Sequence, residues 1–161
     1  MDFDERLEKA IERGQRIGQA RVRAESEKAM SEEELRRLHT KYRLQVSEHI
    51  ERCLTVLPSH FPGFRFETVV AERGWGAAVS RDDLAAGPRG RGANYFSRLE
   101  MVVRPFSSYA VLDLSAKGTI RNRELFNRSH HQDLAEADPQ SFTELIDLWV
   151  LEFAELYAAK A

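Results

Sequence analysis

The chain has 161 residues, 42% of them apolar and 31% charged, and a net charge of −2. That is an ordinary composition for one soluble domain with a real core, and no apolar run reaches the roughly 18 residues a membrane span needs. A single cysteine, Cys53, cannot form an internal disulfide, and the N-terminus is charged rather than hydrophobic, so a cytoplasmic protein is expected.

Charge is unevenly placed. Met1 to His60 carries 12 basic and 12 acidic residues, Phe61 to His131 carries 11 and 7, and Gln132 to Ala161 carries 1 and 7. The middle is mildly basic and the C-terminal segment acidic, which can orient a partner.

Residues 1–30 read as a helical arm. Phe3, Leu7, Ala10, Ile11, Ile17 and Val22 fall on one side at 100° per residue, with Gly14 and Gly18 among them. Each glycine costs a helix interior about 1 kcal/mol against alanine, so the arm is weak alone. The row Ala10, Gly14, Gly18 lets another helix approach closely. Its edges carry Arg13, Arg16, Arg21 and Arg23.

Ser31 and Glu34 form a capping box that opens a second helix over 31–57. Leu35, Leu38, Tyr42, Val46, Ile50, Cys53 and Leu57 make its apolar stripe, and Pro58 is expected to end it.

From Phe64 to about Asn127 the pattern changes to short alternating runs, which predicts an antiparallel sheet of four or five strands. Phe64–Val70 and Trp75–Ser80 flank a turn at Arg73-Gly74. Ala85 to Asn94, with its Gly-Pro-Arg-Gly and Arg-Gly, reads as a flexible loop. Tyr95 to Arg104 is a longer strand stopped by Pro105. Tyr109 to Ala116 is the next, with Lys117-Gly118 as its hairpin turn. Thr119 to Asn127 fits a last strand better than a helix on connection length.

Asp138-Pro139 starts a helix over 138–160. Phe142, Leu145, Ile146, Trp149, Phe153, Leu156 and Tyr157 line its inner face. Leu148 and Leu151 lie on the opposite side among Glu144, Asp147 and Glu155, where a helix packed on a sheet alone has no use for them. The fold class is therefore α+β: N-terminal helices, a β-meander, and a C-terminal helix packed on one sheet face, in a single domain 1–161.

No catalytic, cofactor or metal signature stands out, and no cofactor is expected. His49 and Cys53 have the i, i+4 spacing of a metal-binding pair, but a zinc site needs a third ligand, and His39 is about 15 Å away along the helix. Cys53 reads as a small hydrophobe in the stripe. His130-His131 read as a solvated loop, and Arg81-Asp82-Asp83 as turn chemistry that could alternatively join Glu100 in a carboxylate cluster.

Three functional readings follow. The first is a protein-interaction module, with a protein partner or a second copy of itself, using Ala10, Gly14, Gly18, Leu148 and Leu151. The alternative is an RNA- or DNA-binding domain in which Arg89, Arg91 and Arg98 contact phosphate and Tyr95 stacks on a base. The acidic overall charge weighs against it. The third is an enzyme or small-ligand binder in a cleft lined by Trp75, Tyr95 and Arg98.

Overall fold

Backbone pairing turns the alternating region into five strands: β1 (Arg65–Ala71), β2 (Gly74–Ala86), β3 (Gly92–Val103), β4 (Val111–Ile120) and β5 (Arg123–Asp133). Among the described residues three α-helices accompany them in the chain, α1 (Phe3–Met30) and α2 (Glu32–His60) before the first strand and α3 (Pro139–Lys160) after the last. The structure is a computed structural model that describes residues 2–30, 32–86 and 92–160. All strand pairs are antiparallel and sheet order follows chain order, β1-β2-β3-β4-β5. The class is α+β. No helix among the described residues is long and apolar enough to cross a membrane.

Two compact units divide the chain, Met1–Arg37 and Leu38–Ala161. In the first, α1 is capped where the Asp2 carboxylate accepts from the Glu5 amide at 2.9 Å. Its apolar residues Phe3, Leu7, Ile11, Ile17 and Val22 are all exposed.

In the second unit, register sorts the sheet into two unlike faces. Ala77, Val79, Leu99, Met101, Val103, Leu114 and Ala116 share one face through the pairs Ala77↔Met101, Val79↔Leu99, Met101↔Ala116 and Val103↔Leu114, and all are buried. Val46, Ile50 and Leu54 of α2 and Phe142, Ile146 and Phe153 of α3 complete that core. Polar anchors fix the helices. Arg128 on β5 forms a double hydrogen bond with Glu152 on α3, one arm at 2.8 Å, and the Arg43 guanidinium of α2 lies 4.2 Å over the Trp75 ring of β2. The other face carries a small buried apolar patch, Val69, Ala78 and Val102. Beside it Arg98 bonds both Glu67 (2.7 Å) and Glu100 (3.1 Å), and Arg73 also reaches Glu100 at 2.7 Å. Burial alone would push Glu100 up, but these two guanidinium groups outweigh it and hold its carboxyl below the usual range.

Several boundaries differ from expectation. Helix α2 continues through Pro58 to His60, and the Phe61 amide closes its last turn on the Leu57 carbonyl at 2.9 Å. A proline so near the end disturbs only one turn, so it does not stop the helix. Both described ends of the expected loop Ala85–Asn94 are strand, since pairing runs on to Ala86↔Gly92, and residues 87–91 lie outside the described residues. Small side chains there suggested a loop, but ladder hydrogen bonds use only the backbone. Lys117-Gly118 is not a turn. The turn is Arg121-Asn122, both at positive φ (50° and 71°), as a two-residue hairpin with matching twist requires. Asn122 is well suited to it: its Oδ1 accepts from the Phe96 amide at 2.7 Å and its Nδ2 donates to the Asn94 carbonyl at 2.9 Å. Gly118 stays within β4 because the Phe126 ring lies over it, 2.9 Å from where a Cβ would sit. Thr119 to Asn127 is therefore the end of β4, the turn and the start of β5. That last strand reaches Asp133, so His130 and His131 are in the sheet, not in a loop.

His39 gives one expected result. It is buried, its Nε2 lies 3.1 Å from the Arg104 carbonyl and its ring meets Phe106 edge-on at 5.8 Å. A carbonyl only accepts, so Nε2 carries the proton. Burial, aided by the charge of Arg43, lowers its pKa from the usual 6.5. As pH falls through about 6.5 the unfolded chain takes up a proton that folded His39 resists, so stability falls on acidification until the folded value is passed. Urea melts at pH 8 and pH 5.5 check it: the loss in wild type should exceed that in His39→Gln.

Candidate functional site

Helices α2 and α3 converge at one end of the second unit, and between them runs an open groove of about 560 Å³. Helical spacing supplies its walls. Cys53, Val56, Leu57 and His60 come from α2, with Phe61 just beyond it, and Asp147, Val150, Leu151 and Ala154 come from α3. Most of these are apolar, yet the groove is uncovered. Leu151 is 64% exposed, and its neighbour Leu148 is 61% exposed one turn away.

The polar end of the groove gathers three unlike side chains. His49 Nε2 lies 2.7 Å from Asp147 Oδ1, Cys53 Sγ donates to the same oxygen at 3.3 Å, and Cys53 Sγ is 3.5 Å from His49 Nε2. Sequence spacing shows why two of them meet, since i and i+4 on α2 share a face. The third arrives from a helix 94 residues later in the chain. Burial pushes the Cys53 thiol up to about 12, with the hydrogen bond to Asp147 and its negative charge adding to the effect. The thiol is therefore protonated at neutral pH, opposite to the activated thiolate of a nucleophilic site. Geometry agrees. A Cys–His–acid relay holds the imidazole by one nitrogen while the other takes the thiol proton. Here a single nitrogen faces both partners, so the cluster can gather a ligand but cannot relay a proton.

The residues singled out from sequence fall as follows. Ala10, Gly14 and Gly18 lie in α1 in the first unit, and a Cβ on either glycine would meet nothing within 4 Å. Leu148 and Leu151 lie in α3 in the second, beside the groove. Arg89 and Arg91 lie outside the described residues. Tyr95 and Arg98 are three apart in β3 and so point to opposite faces. Arg98 is held by two carboxylates, and the Tyr95 ring is covered by the Arg121 guanidinium at 4.7 Å. Trp75 pairs with Val103 and Tyr95 with Asp83, at opposite ends of the β2–β3 ladder, so they do not line one cleft.

Nor do the carboxylates cluster. Asp83 bonds Arg81 at 2.6 Å and Tyr157 at 3.2 Å, while Asp82 and Glu100 point to the other sheet face. His130 packs on Phe142 with ring centroids 5.0 Å apart, and His131, on the opposite face, pairs across from Asp113.

Sequence reasoning missed the role of Asp147. In the sequence His49 and Cys53 pair by spacing without a third ligand, and Asp147 reads only as part of the acidic side of α3. Nothing in a single chain's local pattern joins two helices across an intervening sheet. Compared with protein-family models, with curated proteins and with solved structures, the chain shows no match.

Proposed function

We propose that this protein is a cytoplasmic protein-interaction module that self-associates, with α1 of one copy seated on the α2–α3 groove of a second. The observation that carries this reading is the uncovered apolar strip beside the groove, Leu148 and Leu151 with Val56, all exposed. An isolated exposed leucine needs no explanation, but a contiguous apolar strip marks a contact surface.

Helix α1 supplies matching chemistry. Phe3, Leu7, Ile11 and Ile17 form an exposed ridge at helical spacing, and Gly14 and Gly18 lower the ridge enough for close approach. One flank of α1 is basic, with Arg6, Lys9, Arg13 and Arg16, whereas the groove border on α3 carries Glu144, Asp147 and Glu155. Such charges set orientation and encounter rate more than affinity, since exposed pairs contribute only about 0–1 kcal/mol. A two-fold exchange of arms uses the contact twice, which compensates for a narrow seam.

Sedimentation equilibrium on the full chain tests the reading. At micromolar concentrations the wild type should have the mass of two chains. Leu7→Glu/Ile11→Glu and Leu148→Glu/Leu151→Glu should each return it to one, with no large change in thermal midpoint because all four side chains are exposed. A wild type that remains a single chain at high concentration, or a dimer indifferent to both pairs of substitutions, overturns it.

A further inference from the structure

We infer that His49, Cys53 and Asp147 form a binding site for a zinc-like divalent cation that ties α2 to α3 at the polar end of the groove. The three ligand atoms lie within 4.8 Å of one another. One imidazole nitrogen, one sulfur and one carboxylate oxygen make a borderline donor set, suited to Zn²⁺ or Co²⁺ and unsuited to the all-oxygen shells of Mg²⁺ or Ca²⁺.

Distances favour the same ion. A tetrahedral zinc with ligands at about 2.0–2.3 Å holds its donor atoms about 3.3–3.5 Å apart. The Cys53–Asp147 and Cys53–His49 separations are already 3.3 Å and 3.5 Å. Only the His49–Asp147 pair, at 2.7 Å, has to open, by about 0.6 Å, exchanging a hydrogen bond for two metal bonds. An ion about 2.1 Å from all three atoms would stand about 1 Å out of their plane. Access is open as well, because the Asp147 side chain is half exposed. The fourth position then falls to water or to an incoming group. On binding, the metal–sulfur bond forms and the thiol proton leaves to the buffer, while the imidazole binds through neutral Nε2. The inference does not rest on self-association, since all three ligands belong to one chain.

Cobalt gives the test a direct signal from sulfur. The full chain, stripped with chelator and returned to chelator-free buffer, should bind one Co²⁺ with a near-ultraviolet thiolate charge-transfer band and the visible bands of a tetrahedral ion. One equivalent of Zn²⁺ should abolish both and raise the thermal midpoint. Cys53→Ser should lose the near-ultraviolet band, and His49→Gln and Asp147→Asn should each weaken binding at least tenfold. A wild type with no thiolate band at a tenfold excess of Co²⁺ overturns the site, whatever the variants do. So does binding that folded His49→Gln and Asp147→Asn retain at wild-type strength, which would leave the three groups as hydrogen-bond partners only.

Discussion

Phe153→Ala should lower stability by about 3–5 kcal/mol, the cost of emptying a buried aromatic site. Phe153 is fully buried and central in α3. Its ring stands edge-on to Phe64 at 6.3 Å and to Phe126 at 6.4 Å, and it stacks with Tyr157 at 6.3 Å. Phe64 precedes β1 and Phe126 lies in β5, so one side chain joins both ends of the sheet to the last helix. Rings in that arrangement cannot collapse into the gap without giving up their own contacts, which places the cost toward the upper end of the range. A domain of this size typically has about 5–15 kcal/mol in all. At about 2–4 °C per kcal/mol the thermal midpoint should fall by about 6–20 °C. Leu148→Ala, on the exposed side of the same helix, should move it by no more than about 2 °C. A melt of Phe153→Ala overlaying that of wild type would remove α3 from the core.

Gly76→Ala should also be strongly damaging, although it adds only one methyl group. A Cβ on Gly76 would lie 1.9 Å from the Met101 carbonyl oxygen and 2.9 Å from Val102 Cα, both backbone atoms of the neighbouring strand. A side chain in the way can rotate; a paired strand cannot. Relief requires β2 and β3 to separate locally at the pair Gly76↔Val102, beside the small apolar patch that includes Val102. Overpacking of this kind costs about 1–3 kcal/mol and occasionally more, and contact with backbone puts Gly76→Ala at about 3 kcal/mol. Chemical denaturation would measure it, and a shift below about 0.5 kcal/mol would mean that the hairpin yields at little cost.

Much of this architecture was legible because helical and strand periods are properties of neighbouring residues. The stripe through Phe142, Ile146, Trp149, Phe153 and Tyr157 is the buried face of α3, and Leu99, Met101 and Val103 are the buried side of β3. Turn positions were harder. Lys117-Gly118 looked like a hairpin turn from composition, whereas the glycine is there to make room for the Phe126 ring, and the positive-φ turn falls to Arg121-Asn122. An asparagine before a charged residue is a weak signal until the Phe96 and Asn94 backbone groups that it bonds are known. The candidate site was half legible for a similar reason. His49 and Cys53 share a helix and could be paired by counting, but Asp147 joins them only through the packing of α3 against α2.

Sheet order that follows chain order has a consequence for how the molecule is made. Every strand pairs with the one synthesised just before it, so the sheet can grow hairpin by hairpin as the polypeptide emerges from the ribosome. The inner face nevertheless stays unsealed until Phe142, Ile146 and Phe153 arrive in the last helix. A nascent chain halted before Asp138 would thus present a finished sheet whose apolar side is covered only by α2. For the time needed to translate the 22 residues of α3, about 1–4 seconds at about 5–20 residues per second, the chain exposes apolar surface that favours aggregation.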